Sequence, residues 1–445
     1  MTATTLAGRI AASGTATAML CNAPNGPFVF PVKAEISNWR SEQEAWRNSV
    51  VFQDMSHHMA DTEFTGPDVI ELLARFGINS FAGFGPMQAK QYVACNADGQ
   101  VIGDAILFGE AEDRVSIVGK PSVANWLAFN ARDTRTRITA NDRPSPHLAD
   151  RRRFRFQVQG PRAQELMERV HGGPLPDMPF FRMGRFMLAG VAVTALNHRM
   201  SGAPGYEFWG DTAGADTVRA AIFEAGAAFG LRQIGGRNYP VTAQESGWWA
   251  SPVPAIYTDP RLEEYRQWLP ADSYEATLSV GGSLVIDDIA AAYMTPRDLG
   301  YGFMARFDHD FHGRAALEAA KDRPGRRKVR LLWNDEDVLR VFAAMLGDGP
   351  RFKGLELPTA QFSTCPLDEV TQNGRRVGAS NYPAYSANLR RWFSLATVDE
   401  ALAVDGTPLE VTWGEPGGGS AKPTVEPHEQ VKIRVQVQSK AVHRN

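Results

Sequence analysis

Thr65-Gly66-Pro67-Asp68-Val69-Ile70-Glu71-Leu72-Leu73-Ala74-Arg75 and Gln159-Gly160-Pro161-Arg162-Ala163-Gln164-Glu165-Leu166-Met167-Glu168-Arg169 are the two stretches whose comparison decides the fold. Gly, Pro, Glu, Leu and Arg recur at the same offsets. Each copy reads as a strand, a Gly-Pro turn and a helix with Pro in its first turn. About 50 residues after each copy comes a second strand-to-helix step. In one it is Arg114-Val115-Ser116-Ile117-Val118-Gly119-Lys120-Pro121; in the other Tyr206-Glu207-Phe208-Trp209-Gly210 leads to a helix over 217–230. Both second helices space their apolar residues at helical period, through Val123, Trp126 and Leu127 and through Val218, Ala221, Ile222 and Ala225. The duplication predicts two related α+β halves packed as a pair, with a ligand held where their strand-end loops converge.

Outward from the duplication, Lys321-Asp322-Arg323-Pro324-Gly325-Arg326-Arg327-Lys328 is a charged linker with Pro-Gly at its centre, following a short helix over 315–320. A separate C-terminal domain is expected to begin there. Val431-Lys432-Ile433-Arg434-Val435-Gln436-Val437 and Leu409-Glu410-Val411-Thr412-Trp413 alternate with period two, so that domain reads as mostly β. Gly414-Glu415-Pro416-Gly417-Gly418-Gly419-Ser420-Ala421-Lys422 lies between the two strands and lacks Gly-Lys-Ser/Thr; a flexible hairpin tip is expected, not a phosphate loop.

The chain has 445 residues, which at roughly 150 residues per domain suggests three domains. With 43% hydrophobic residues it can bury sizeable cores, and a net charge of −3 gives no general attraction to nucleic acid or to acidic membranes. The expected partner is a small neutral or anionic ligand. Three scattered cysteines, Cys21, Cys95 and Cys365, speak against a disulfide framework or a metal cluster and suit a reducing cytoplasm. The first twenty residues, interrupted by Gly8, Arg9 and Gly14, read neither as a signal peptide nor as a membrane span.

Several side chains could carry chemistry. Lys120 stands where a strand gives way to a helix, so its ammonium would join the free N–H groups of that helix start as a carboxylate or phosphate site; an ordinary solvated lysine is the alternative. His57-His58 follow a strand and could supply an acid, a base or a hydrogen-bond donor, or be structural. Asp308-His309-Asp310-Phe311-His312 looks metal-like, but it opens a turn and helix where Asp is favoured for capping, and no metal is expected. Arg151-Arg152-Arg153-Phe154-Arg155-Phe156 looks like a nucleic-acid patch, basic with aromatics interleaved, but its alternation puts Phe154, Phe156 and Val158 on one face and Arg155, Gln157 and Gln159 on the other, and given the net charge the second is expected to be a solvated strand face. Tyr239 to Trp249 is rich in aromatics, with a phenol that could protonate a leaving phenolate and indoles that could stack on a heterocycle; a core aromatic cluster is the alternative.

The run from Thr295 to Phe307 (Thr-Pro-Arg-Asp-Leu-Gly-Tyr-Gly-Phe-Met-Ala-Arg-Phe), with Asp310 to Leu317, resembles the T-protein (aminomethyltransferase) superfamily of the glycine cleavage system. So do Gly202 to Phe208 and Gly99 to Asp104 with Leu107. A tighter resemblance is to the tetrahydrofolate-dependent aryl O-demethylases of vanillate, syringate and related methoxybenzoates. It is carried by Ser37-Asn38-Trp39-Arg40, Glu42-Gln43, His57-His58-Met59, Ala89 to Val93, Gln157 to Pro161, Glu245-Ser246-Gly247-Trp248, Ser251 to Tyr257 and Thr424 to His428.

The resemblance implies an α+β, T-protein-like three-domain ring: two related α+β halves and a C-terminal β-barrel-like domain. On that pattern residues 1–60 and 151–270 form a discontinuous folate-binding domain, 61–150 a second α+β domain, 271–325 a connecting segment and 326–445 the β-rich domain. It implies tetrahydrofolate as co-substrate, bound by Gln157, Glu207 and Trp248, and a small aromatic carboxylate substrate held by Phe28, Phe30, His57 and Lys120. It places Tyr239 as the acid on the leaving phenolate oxygen and His58 at the same pocket. Two departures bear on the substrate: Phe28-Val29-Phe30-Pro31 stands where relatives carry Tyr-x-Tyr-Pro, and Val118-Gly119-Lys120 where they carry Val-Gly-Arg. Fewer hydroxyls and one lysine suggest a more apolar ring that still bears a carboxylate, such as dicamba, beside vanillate and syringate. The T-protein's paired Asp appears as Gly103-Asp104, which speaks against aminomethyl transfer. The alternatives are a folate-dependent enzyme of an amine or sulfonium substrate and a non-catalytic folate-binding protein, whose Lys-Gly-Cys-Tyr-type motif this chain lacks.

Overall fold

The computed structural model describes residues 3–439; the outermost ends of the first and last expected domains lie outside them. The strands of the first part of the chain are β1 (Val50–Asp54), β2 (Ala60–Thr65), β3 (Ala89–Cys95), β4 (Val101–Ala111), β5 (Arg114–Gly119), β6 (Arg137–Asp142), β7 (Arg153–Gln159), β8 (Met183–Leu188), β9 (Val191–Met200), β10 (Ala203–Asp211) and β11 (Leu231–Gln233). They form two sheets, ordered β3-β4-β5-β2-β6 and β8-β9-β10-β7-β1-β11. Helices at Val69–Phe76 and Pro121–Asn130 punctuate the first series, and helices at Ala163–His171 and Ala215–Gly226 fall at the same places in the second. The duplication is thus a repeated β-α-β-β-β-α-β unit, with β1 inserted between β7 and β11 in the second copy only.

The turn glycines explain why the repeat is visible in the text. Gly66 (φ +132°) and Gly160 (φ +137°) both occupy a backbone region that L side chains avoid. A Cβ would meet the Arg135 carbonyl oxygen at 2.1 Å in one copy and that of Ser49 at 2.4 Å in the other. The outward face of each sheet is apolar and covered by its helices: Phe52, Phe154, Phe156, Val158 and Phe208 pack with Leu166, Val218 and Ile222 in one half. Phe64, Tyr92, Leu107, Val115 and Ile117 pack with Leu72, Val123 and Leu127 in the other.

The remaining strands are β12 (Val280–Gly281), β13 (Arg326–Trp333), β14 (Cys365–Pro366), β15 (Asp368–Gln372), β16 (Arg375–Ser380), β17 (Ala384–Ser386), β18 (Arg391–Asp399), β19 (Pro408–Trp413) and β20 (Val431–Gln438). The order β13-β20-β19-β15-β16-β18 returns to β13, so six strands close a barrel and leave no free edge among them. Along β20, Val431, Ile433, Val435 and Val437 point into the barrel while Lys432, Arg434 and Gln436 point out, as the alternation requires.

Two expectations are corrected. The glycine-rich loop after β19 is not a flexible tip: Glu415 forms a buried ion pair with Lys353 at 2.8 Å, and Lys422 Nζ donates to the Val280 carbonyl at 2.6 Å. Its glycines permit tight turns, while its charged residues tie it to the core. The face bearing Arg155, Gln157 and Gln159 is not solvated either, since these residues are 3%, 0% and 2% exposed. Alternation groups residues by face but does not say what that face packs against, and here it is the other half of the molecule.

Candidate functional site

The two sheets meet through charge. Arg155 donates from Nη1 to Glu207 at 2.7 Å and from Nη2 to Asp61 at 3.2 Å, bridging β10 of one sheet and β2 of the other. Arg153 clasps Glu110 at 2.5 Å, and Arg152 donates to Asp142 at 3.0 Å. The basic run read in the sequence is therefore an internal clamp whose every arginine finds a partner in the opposite sheet or its loops, as buried guanidinium groups require. The Arg155 guanidinium also lies over the rings of Trp209 (4.5 Å) and Phe108 (5.1 Å).

Beside this clamp lies a cavity of about 380 Å³, lined from both sheets and from the barrel. Three clusters of side chains face it. The first is aromatic: Phe30 touches Tyr239 (centroids 4.6 Å), Phe28 (5.2 Å) and His58 (5.1 Å). The second is centred on Asp104, whose Oδ2 accepts from Gln91 (2.9 Å), Trp248 Nε1 (3.0 Å) and the Tyr301 hydroxyl (3.0 Å). The third is the Arg155–Glu207 pair. A wider groove on the barrel surface gathers Asp335, Glu336, Arg391 and Arg434. Those charges already pair with one another, and none of the clusters described here reaches it.

Tyr239 opens the helix Tyr239–Glu245, and its hydroxyl donates to the Asp54 carbonyl oxygen at 2.8 Å. Burial and the Asp54 charge raise the phenol well above its ordinary pKa, so it keeps its proton. Burial works to raise the Asp54 carboxyl too, but His57, Ser56 and Arg219 outweigh it and hold it far below the usual range. His58 is held to a pKa of about 3 by burial and by the charges of Lys120 and Arg151, and is a neutral imidazole whose buried Nδ1 has no partner among the described residues. Lys120 precedes the helix Pro121–Asn130. It makes no ion pair or hydrogen bond among the described residues, its ammonium lying 6.0 Å from the Tyr274 ring centre and within electrostatic reach of Asp104.

Of the residues singled out in the sequence, Phe28, Phe30, His58, Lys120, Glu207, Tyr239 and Trp248 line this one cavity. His57 does not: its Nδ1 faces the Ser145 carbonyl at 3.0 Å and its Nε2 lies 3.7 Å from Asp54, so it braces the strand that anchors Tyr239. Gln157 is fully buried between two lining residues, with Gln53 and Glu207 beside it in register. His309 packs its Nε2 against the Ala74 and Gly77 carbonyls, and His312 lies against Phe76 and Trp126; the two brace the helix Val69–Phe76. Sequence reasoning missed Asp104 as a hub, together with Arg155 and His198. It also missed the barrel's contribution through Lys328, Gln361, Thr364 and Tyr382. Lys328 donates to the Gly247 carbonyl at 2.6 Å, and burial lowers its pKa to about 8. Its place in a charged linker-to-strand run gave no sign of that; only the closure of the barrel brings it to Asp104.

Comparison with known proteins agrees with this architecture. Residues 14–251 match the GCVT N-terminal domain. The syringate O-demethylase of a Sphingobium species is 42% identical over 96% of this chain and 93% of its own length. The sesamin methylene transferase of a Sinomonas species is 30% identical over 80% and 79%. The crystal structure of glycine cleavage system aminomethyltransferase T from Bartonella henselae superposes with a TM-score of 0.60 over 94% of both chains at 16% identity, sharing the fold. Among the described residues no helix is long and apolar enough to cross a membrane. With the GCVT domain spanning both sheets and an O-demethylase aligned along nearly its whole length, the chain belongs to the GCVT (aminomethyltransferase) family as one of its enzymes, on the side of the O-demethylases.

Proposed function

We propose that the protein demethylates an aryl methyl ether of the methoxybenzoate class, with tetrahydrofolate receiving the methyl group and a phenol departing. The observation that carries this reading is one cavity whose wall joins an aromatic cluster to the Glu207 carboxylate, with the Gln157 amide buried directly beside it, acceptors of the kind a reduced pterin needs. Gln157 Oε1 is buried without a partner, and on the neighbouring strand Glu207 has only Oε1 engaged, by Arg155, among the described residues. These two acceptors fit a heterocycle edged with N–H donors. Trp248 offers an indole face whose orientation is fixed by its bond to Asp104. When bound, tetrahydrofolate supplies N5 as the nucleophile that takes the methyl group.

The chain's own residues then have definite tasks. Lys120, which has no ion pair or hydrogen bond among the described residues, takes the ring carboxylate. Phe28 and Phe30 bring no hydroxyl to the ring, which suits apolar substituents such as chlorine, and a halogenated phenol is also the better leaving group. This favours a dicamba-like substrate over vanillate or syringate. Tyr239 stays protonated and turns its O–H from the Asp54 carbonyl to the departing oxygen; help of this kind is worth about 10²–10⁴-fold. His58, being neutral, is a hydrogen-bonding wall rather than a cationic acid. The three thiols, none of them in a disulfide, suit the cytoplasmic setting that accompanies this reading.

A panel of methoxybenzoates, each incubated with the enzyme and tetrahydrofolate and assayed for 5-methyltetrahydrofolate, tests the proposal. Turnover of dicamba above syringate and vanillate is expected. Turnover of syringate or vanillate with none of dicamba sinks the chlorinated reading, and no turnover of any of them sinks demethylation itself.

A further inference from the structure

Gln157 and His198 lie on β7 and β9, two strands apart with β10 between them, a separation of roughly 9–10 Å across the sheet. Their side chains nevertheless meet, Gln157 Nε2 lying 3.1 Å from His198 Nδ1. The residue of β10 directly opposite His198 is Gly205. A Cβ at Gly205 would strike the Val158 carbonyl oxygen at 2.0 Å, so glycine is what lets β10 lie this close to β7 beside the contact. The contact has a consequence for Gln157. With its amide nitrogen committed to His198, its Oε1 is turned elsewhere and, buried, has no partner among the described residues. Buried polar atoms are seldom left in that state without reason. His198 itself lines the cavity, as do Gln53 and Glu207, the cross-strand neighbours of Gln157.

We propose that His198 is a positioning residue for the folate: by accepting from Gln157 Nε2 it holds the amide in the one orientation that keeps Oε1 for an N–H donor of the ligand. The inference rests on the functional reading above and adds to it a residue that need not touch the ligand through this bond. The acceptor role requires a neutral ring, and burial lowers the His198 pKa, with Glu207 opposing. Asn at 198 can offer an oxygen near the position of Nδ1, whereas Phe keeps the ring and offers no acceptor.

Calorimetric titration of the full-length protein with tetrahydrofolate, beside steady-state kinetics, tests this. His198→Phe is expected to raise the Kd and the KM for tetrahydrofolate about tenfold, the worth of one buried hydrogen bond, while kcat at saturating folate stays within about twofold. His198→Asn should recover the affinity to within about threefold of wild type. Gln157→Leu should lose as much as His198→Phe, and combining the two should cost nothing more, because one acts through the other. Wild-type affinity in His198→Phe, equal losses in the Phe and Asn variants, or additive losses in the double variant would each overturn the inference. Wild-type protein that does not bind tetrahydrofolate overturns the functional reading and this inference together; wild-type binding with an unaffected Phe variant overturns this inference alone.

Discussion

The half from β2 to β6 and the half from β7 to β11 pass through the same elements in the same order, yet they turn different faces to the space between them. The first presents Asp104, Ile106, Phe108 and Val118; the second presents the row Gln53, Gln157 and Glu207 with Arg155 beside it. Their outward faces stayed alike because each must seat the same two helices on an apolar sheet, and their turns stayed alike because only glycine fits at positions 66 and 160. The inward faces had no such duty. In a duplicated scaffold the shared residues hold the fold and the unshared ones hold the chemistry.

That contrast can be broken most forcefully at the bridge between the halves. Arg155→Met leaves Glu207 buried without its cation and Asp61 with only the longer pair to Arg152 at 3.8 Å, and should lower stability by about 3–5 kcal/mol in denaturant unfolding. An unchanged midpoint would mean that the clamp does not hold the sheets together. On the second half's side of the cavity, beside β1, Tyr239→Phe removes the hydroxyl bonded to Asp54 and should lower kcat about 100-fold, with folate binding intact. An unaltered kcat would end the acid role proposed for it. Lys120→Met should raise the KM for the aromatic carboxylate about tenfold or more and leave the KM for tetrahydrofolate unmoved, since the two ligands are assigned to different clusters.

The smallest effect near neutrality belongs to His58. Its folded pKa of about 3 lies below the ordinary 6.5, so between pH 5 and 8 it does not titrate, and wild type and His58→Gln should share the same pH dependence of kcat/KM. Stability carries the complementary sign. The unfolded chain takes up this proton below pH 6.5 while the folded chain refuses it until about pH 3, so stability falls as the medium is acidified through that window. The His58→Gln variant should lose about 1.4 kcal/mol less for each pH unit of that fall, as read in urea unfolding.

Legibility in the sequence follows from the range of the forces involved. The repeat, the linker before β13 and the alternating strands β19 and β20 were readable because turn glycines, Pro-Gly breaks and strand period are local. Alternation sorts the faces of β7 correctly, but it leaves Arg155 and Gln157 looking solvated because the partner surface, with Asp61, lies some ninety residues away in the chain. Glu415 and Lys422 were read with the glycines around them as a loose tip, although each is pinned by a residue distant in sequence. Aromatic and histidine positions of the cavity stood out by composition and family likeness. Asp104, His198 and Lys328 did not, because a single carboxylate, imidazole or lysine acquires meaning only from neighbours that tertiary contact supplies.

The most direct test of the central claim is to follow the methyl group itself. A methoxybenzoate labelled with ¹³C in its methyl group, incubated with the enzyme and tetrahydrofolate, should deliver the label to N5 of tetrahydrofolate in an amount equal to the phenol formed. Label recovered as formaldehyde, or phenol formed without tetrahydrofolate, would contradict it.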